Sequence, residues 1–98
     1  MTYKVIVEPA AQDDIDMAFE YYGKLTDDDT LIMNLYKDIE LAYHALKINP
    51  FYQIRVKNYR GLPLKKFPYI LFFEVLEKQK IVKIIALFNT PQHPDKYP

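Results

Sequence analysis

Residues 69–88 read Tyr69-Ile70-Leu71-Phe72-Phe73-Glu74-Val75-Leu76-Glu77-Lys78-Gln79-Lys80-Ile81-Val82-Lys83-Ile84-Ile85-Ala86-Leu87-Phe88: two apolar runs on either side of a charged loop. Tyr69 to Leu76 is almost wholly apolar, and so is Ile81 to Phe88 apart from Lys83. Strands of this kind are usually central in a sheet and buried on more than one side. Glu77 to Lys80 reads as the hairpin loop between them. Just upstream, Lys65 and Lys66 sit between Pro63 and Pro68, among aromatic residues. Earlier still, Ile54 and Val56 alternate with Arg55 and Lys57, as in a half-buried strand.

Before Pro50 the period is helical. Leu31, Leu35, Ile39, Ala42 and Leu46 form one stripe, which ends before Asn49-Pro50. Ala11, Ile15, Ala18, Tyr22 and Leu25 form another, opened by Pro9, whose missing N–H costs nothing in a first turn. Thr26-Asp27-Asp28-Asp29-Thr30 separates the two and supplies N-cap candidates. A link this short predicts an antiparallel helical pair. Tyr3 to Val7 is a short strand pattern ended by Glu8-Pro9. The tail from Asn89 holds three prolines and is expected to be irregular.

The order predicts an α+β fold: an N-terminal strand, then an antiparallel helical hairpin packed on a mainly antiparallel β-sheet. The 98 residues suffice for one domain, 1–98, with a single core. There is no cysteine for a disulfide scaffold or thiolate zinc site, and no apolar run approaches the ~20 residues of a bilayer span. A soluble, cytoplasmic protein is expected, with no membrane association, metal or cofactor implied. Net charge is zero, yet residues 1–50 carry 4 Lys and Arg against 10 Asp and Glu, and residues 51–98 carry 9 against 3. Such polarity suggests one surface built for an anionic partner.

Strand parity sorts the cations. If Ile54, Val56, Leu62 and Leu64 face the helices, then Arg55, Lys57, Tyr59 and Lys65 share the opposite face. Lys66 and Arg60 join them only if Gly61 or Pro63 introduces a bulge. Lysines beside aromatics suit a phosphate-bearing partner, although a solvated basic strand reads equally well. Metal-independent RNA cleavage needs a base, an acid and a cation at the phosphorane. Lys65, His93 and Tyr97 are the residues that can fill those roles, while His44 reads as a surface residue. A serine nucleophile is excluded because the chain has no Ser, and two glycines cannot form a phosphate loop.

Taken together, these segments resemble the RelE/ParE superfamily of toxins from bacterial type II toxin–antitoxin modules. The resemblance rests on Tyr3 to Ala11, Asp14-Ile15, Tyr21-Tyr22, Leu46 to Pro50, Leu62 to Tyr69, Phe73 to Val75 and Ala86 to Thr90. It covers nearly the whole chain in order. It implies a growth-inhibiting toxin held by a cognate antitoxin in a hetero-oligomer, related to plasmid stabilization systems. RelE-like members are mRNA interferases that cut messages on the ribosome; ParE-like members poison DNA gyrase without chemistry. Lys65, Lys66 and Tyr97 agree with the nuclease pattern. Ile70, Asn89, Pro91 and Gln92 depart from it, standing where arginine, histidine or basic tail residues are common. Arg55, Lys57, Arg60, Lys66 and Asn89 are the expected contacts to nucleic acid or another target. The first reading is an mRNA interferase that cleaves messages on the ribosome; the alternatives are a gyrase-binding toxin without chemistry and an inactive relative acting as a binding module.

Overall fold

The structure, a computed structural model, describes residues 2–91 and 96–98. Strand β1 (Lys4–Val7) leads into helix α1 (Pro9–Leu25) and helix α2 (Thr30–Ile48). Strands β2 (Ile54–Val56), β3 (Tyr59–Pro63), β4 (Tyr69–Leu76) and β5 (Ile81–Asn89) follow. Pro9 stands in the first turn of α1, as its locked φ favours. Between the helices, the Asp28 carboxylate accepts both the backbone N–H and the hydroxyl of Thr30, at 3.0 and 2.7 Å, and so starts α2. At the far end the Asn49 N–H closes the last turn on the Ala45 carbonyl, and the buried Pro50 stops the helix.

The five strands form one sheet in the order β1-β5-β4-β3-β2. All neighbours are antiparallel except β1, which joins the edge parallel to β5 from Lys4↔Ile81 to Val7↔Ile84. The helical hairpin covers one sheet face. Ala11, Ile15 and Ala18 of α1 and Leu35, Ile39, Ala42 and Leu46 of α2 pack there with Leu71, Phe73, Val82, Ile84 and Leu87. Both expected stripes therefore face this core, with Tyr22 and Leu31 only half-buried. Only Leu25, at the end of α1, is left 56% exposed.

The opposite face is not the bare basic surface that alternation suggested. Ile70, Phe72 and Phe88 are buried on it, beneath Val56, Tyr59, Ala86 and Tyr97. Continuous apolar strands send side chains both ways, so this face needs its own cover. The chain end supplies it: the Tyr97 ring lies 5.0 Å from Phe72 and 4.8 Å from Phe88, centroid to centroid.

Parity also fails in β2, for an identifiable reason. Ile54 pairs with Arg60 and Val56 with Tyr59, so a bulge falls between them. The bulge turns Val56 to the face away from the helices, against expectation, and leaves Ile54 49% exposed. Lys57 is not on a strand face at all. It occupies the β2–β3 turn with φ of 52°, a left-handed conformation that a β-carbon disfavours.

Candidate functional site

The face opposite the helices, called here the outer face, is where the expected basic residues were to converge. Arg55 does lie on it. A β-carbon added to Gly61 would fall 2.3 Å from Arg55 Cδ, 2.7 Å from its Nε and 3.1 Å from Ile70 Cγ2. Gly61 pairs with Phe72, a buried residue of that same face. The Arg55 side chain therefore lies flat across β3, in the space that any other residue at 61 would fill. The φ of Gly61 is not positive, so what glycine provides there is room.

Arg60 goes the other way. It pairs with Phe73, a helix-side core residue, and donates to the Tyr52 carbonyl at 2.8 Å. Its guanidinium also sits 5.2 Å from the centre of the Phe51 ring. Both interactions are structural and hold the crossing segment between α2 and β2.

Lys65 and Lys66 lie in the loop between β3 and β4, with exposed side chains. Their backbone is fixed by a residue that sequence reasoning did not single out. Asp38 of α2 is buried, 3% exposed, and accepts the N–H groups of Lys65, Lys66 and Phe67 at 3.3, 2.9 and 3.3 Å. The three donors satisfy a carboxylate that burial would otherwise penalise. They also bind the lysine loop to the helical layer, alongside Leu64 and Phe67, which pack into the helix-side core. Tyr97 packs on the outer face, and no hydrogen bond joins it to Lys65 among the described residues. His93, the third expected catalytic residue, lies outside the described residues.

Asn89 is in a different place again. Strand β1 ends at Val7, so β5 has no strand neighbour beyond Ile84 on that side. A cleft of about 580 Å³ opens along this edge, lined by Asp14, Tyr21, Tyr22 and Tyr69 as well as Asn89. Asn89 Oδ1 is buried there without a hydrogen-bond partner among the described residues. Burial pushes the Tyr69 phenol up to about 12, and the neighbouring Tyr22 adds to the rise. The Leu87 N–H on the unpaired edge finds its acceptor in Asp14 Oδ2 at 3.1 Å.

Burial raises the Asp14 carboxyl above its ordinary 3.8; the Leu87 N–H pulls it back, and Asp13 adds to the rise. The neutral carboxyl is thus favoured by folding. Its contribution to stability is fully present below the ordinary value and is lost as pH climbs through the raised one. Asp14→Asn keeps an acceptor for Leu87 and should abolish this dependence with no loss of stability at pH 7. Asp14→Ala should cost about 1–3 kcal/mol, because the Leu87 N–H loses its partner. Urea unfolding of the three proteins at pH 4 and pH 7 checks both expectations. An alanine variant as stable as the native chain would contradict the pairing.

Both missed carboxylates left a signal. Asp38 falls three residues after Leu35 and four before Ala42, and Asp14 three after Ala11 and four before Ala18. Each acid thus stands on an apolar helical stripe, where a buried partner is required. Among the described residues, no group of three or more His, Cys, Asp or Glu is placed to hold a metal ion, and no helix is long and apolar enough to cross a membrane.

No protein-family model matches the sequence, and no curated protein matches it. Solved structures do. A chain of the chromosomal ParDE toxin–antitoxin system from P. aeruginosa aligns with a TM-score of 0.73 at 20% identity, over 89% of this chain and 95% of that one. A chain of the toxin–antitoxin complex RelBE2 from Mycobacterium tuberculosis aligns with a TM-score of 0.60 at 17% identity, over 91% of this chain and 99% of that one. The fold is therefore of the ParE/RelE kind, as the sequence resemblance implied. Each of these structures spans nearly the same length as this chain.

Proposed function

We propose that this protein is the toxin component of a type II toxin–antitoxin module, a single domain that arrests growth by binding a protein target in the cytoplasm. The likeness to chains of two toxin–antitoxin structures supports the module. The observation that carries the mode of action is the composition of the outer face. RNA cleavage requires a cation, an acid and a base around one phosphate. On this face Ile70, Phe72 and Phe88 are buried instead, and the Tyr97 ring is engaged with the two phenylalanines. With the face filled in this way the Tyr97 ring is a packing element, which favours a role in binding over one in chemistry. DNA gyrase is the target that the ParE-like resemblance suggests, and a cognate antitoxin is the partner that would silence it.

One observation favours the enzymatic reading. The exposed Lys65-Lys66 pair is held on a tethered loop, as a phosphate-contacting cation would need. In that case Lys65 would steady phosphate charge while Tyr97 and His93 moved protons. Induced expression of native chain, Lys65→Ala and Tyr97→Phe separates the two. The binding reading expects both variants to arrest growth as the native chain does. Loss of a catalytic cation or acid typically costs about 10²–10³ in rate, so loss of toxicity in both variants would establish the nuclease instead.

A further inference from the structure

Strand β5 runs on past the end of β1, and the cleft of about 580 Å³ beside its free edge takes no part in the contact with a protein target proposed above. Its volume is that of a site for one small molecule. Tyr21, Tyr22 and Tyr69 line it, and Tyr21 is 57% exposed. The rings of Tyr21 and Tyr22 meet edge to face at 5.0 Å, and Tyr22 meets Tyr69 at 6.4 Å, so mutual packing fixes the aromatic lining. Three polar side chains share the cleft with them: Asp14, Asn89 and the exposed Lys96. Asp14 accepts the Leu87 N–H through Oδ2, which leaves Oδ1 without a partner among the described residues. Asn89 Oδ1 is buried and also lacks a donor among them. Native structures rarely leave such an oxygen unpaired, and a bound group that donates would satisfy it.

We infer that this cleft is a binding site for a guanine nucleotide, with the base among the tyrosines, its donor edge toward Asp14 and Asn89, and its phosphate toward Lys96. Both unpaired oxygens are acceptors, so the ligand must donate. Guanine alone among the bases carries two adjacent donor groups on one edge, N1–H and the 2-amino group. Adenine and cytosine offer an amino group there, and uracil and thymine a ring N–H. Every base has a face that stacks on aromatic side chains, so the tyrosines supply affinity while the oxygens supply choice. A guanidinium is also flat and rich in donors, but Lys96 repels a cation and attracts a ligand that ends in phosphate. An added peptide strand fits less well, because the Leu87 N–H of this edge is already taken by Asp14. The cleft is also distinct from the outer face: Leu87, which lines it, belongs to the helix-side core, whereas Tyr97 packs on the opposite side of the sheet.

Calorimetric titration of the full chain near neutral pH with GMP, IMP, AMP and guanosine tests the assignment. GMP should bind most tightly. IMP lacks only the 2-amino group and should bind about tenfold more weakly, as loss of a hydrogen bond to a charged acceptor does. Guanosine should also bind more weakly than GMP, and Lys96→Gln should remove that difference. Asp14→Asn keeps an acceptor for Leu87, yet it should lower GMP affinity about tenfold and bring it close to that of IMP. Tyr21→Ala, at an exposed position, should weaken GMP severalfold at unchanged circular dichroism. Lys78→Gln, in the loop before β5, should have no effect. No heat with GMP at about 1 mM would overturn the inference. So would equal affinity for GMP and AMP, tighter binding of acetylarginine amide than of GMP, or unchanged GMP affinity in both Asp14→Asn and Tyr21→Ala. None of these outcomes depends on toxicity or on gyrase, so failure of the toxin reading would leave the nucleotide site standing.

Discussion

Replacing Phe72 by alanine should remove about 3–5 kcal/mol of stability, the range for truncating a fully buried aromatic. Phe72 is 0% exposed and meets Phe88 at 6.2 Å and Tyr97 at 5.0 Å between ring centroids. The cavity would open in the smaller of the two apolar clusters, where few neighbours are available to collapse into it. Domains of this size are typically stable by only about 5–15 kcal/mol, so the variant would retain a small margin. Its melting temperature should fall by at least roughly 12 °C. A double-mutant cycle with Tyr97→Ala should give a coupling of about 0.5–1.5 kcal/mol, the usual worth of an aromatic pair. A loss below ~1 kcal/mol for Phe72→Ala would show that the outer face is not a packed layer. The binding reading would then lose its main support, since it depends on that face being filled.

The second large effect is expected at Asp38. Hydrogen bonds to a charged acceptor contribute about 1.5–3 kcal/mol each, and two of the three here are long, so Asp38→Ala should cost about 3 kcal/mol in all. The loss has two parts: three backbone donors lose their acceptor, and the Lys65–Phe67 segment loses its tie to α2. Asp38→Asn should be intermediate, because one oxygen still accepts while the amide N–H₂ faces other donors. Urea unfolding gives the energy, and amide exchange at Lys65, Lys66 and Phe67 gives the location. Exchange at these three amides should quicken more than at Leu71 or Phe73. Unchanged exchange there would mean that the carboxylate does not hold the loop.

Periodicity carried most of the architecture. The two apolar runs became β4 and β5 at the sheet centre, and the change of period near Pro50 marked the passage from helical layer to strands. Stripe residues such as Ile15, Leu35 and Leu46 are buried because helical spacing leaves them only one direction to face. The site was less legible, and each shortfall has a local cause. One extra residue in β2 was enough to reverse Val56, since strand parity does not survive a bulge. A loop bound by Asp38 removed Lys65 from the strand pattern that had placed it on the outer face. The tail folded back through Tyr97 onto a face that its neighbours made apolar, a contact that no local rule encodes. The parallel pairing of β1 with β5 is likewise a matter of tertiary order, because most of the chain separates the two strands.

The central claim is that this fold acts by occupying a partner's surface. Its most direct test is a supercoiling reaction with purified DNA gyrase, run beside a ribosome-dependent translation reaction in which the message is mapped by primer extension. The account predicts that the chain inhibits supercoiling, with Lys65→Ala and Tyr97→Phe as potent as the native protein, and that the message stays whole. Cleavage of the message by the native chain, abolished by either substitution while supercoiling proceeds untouched, would contradict it.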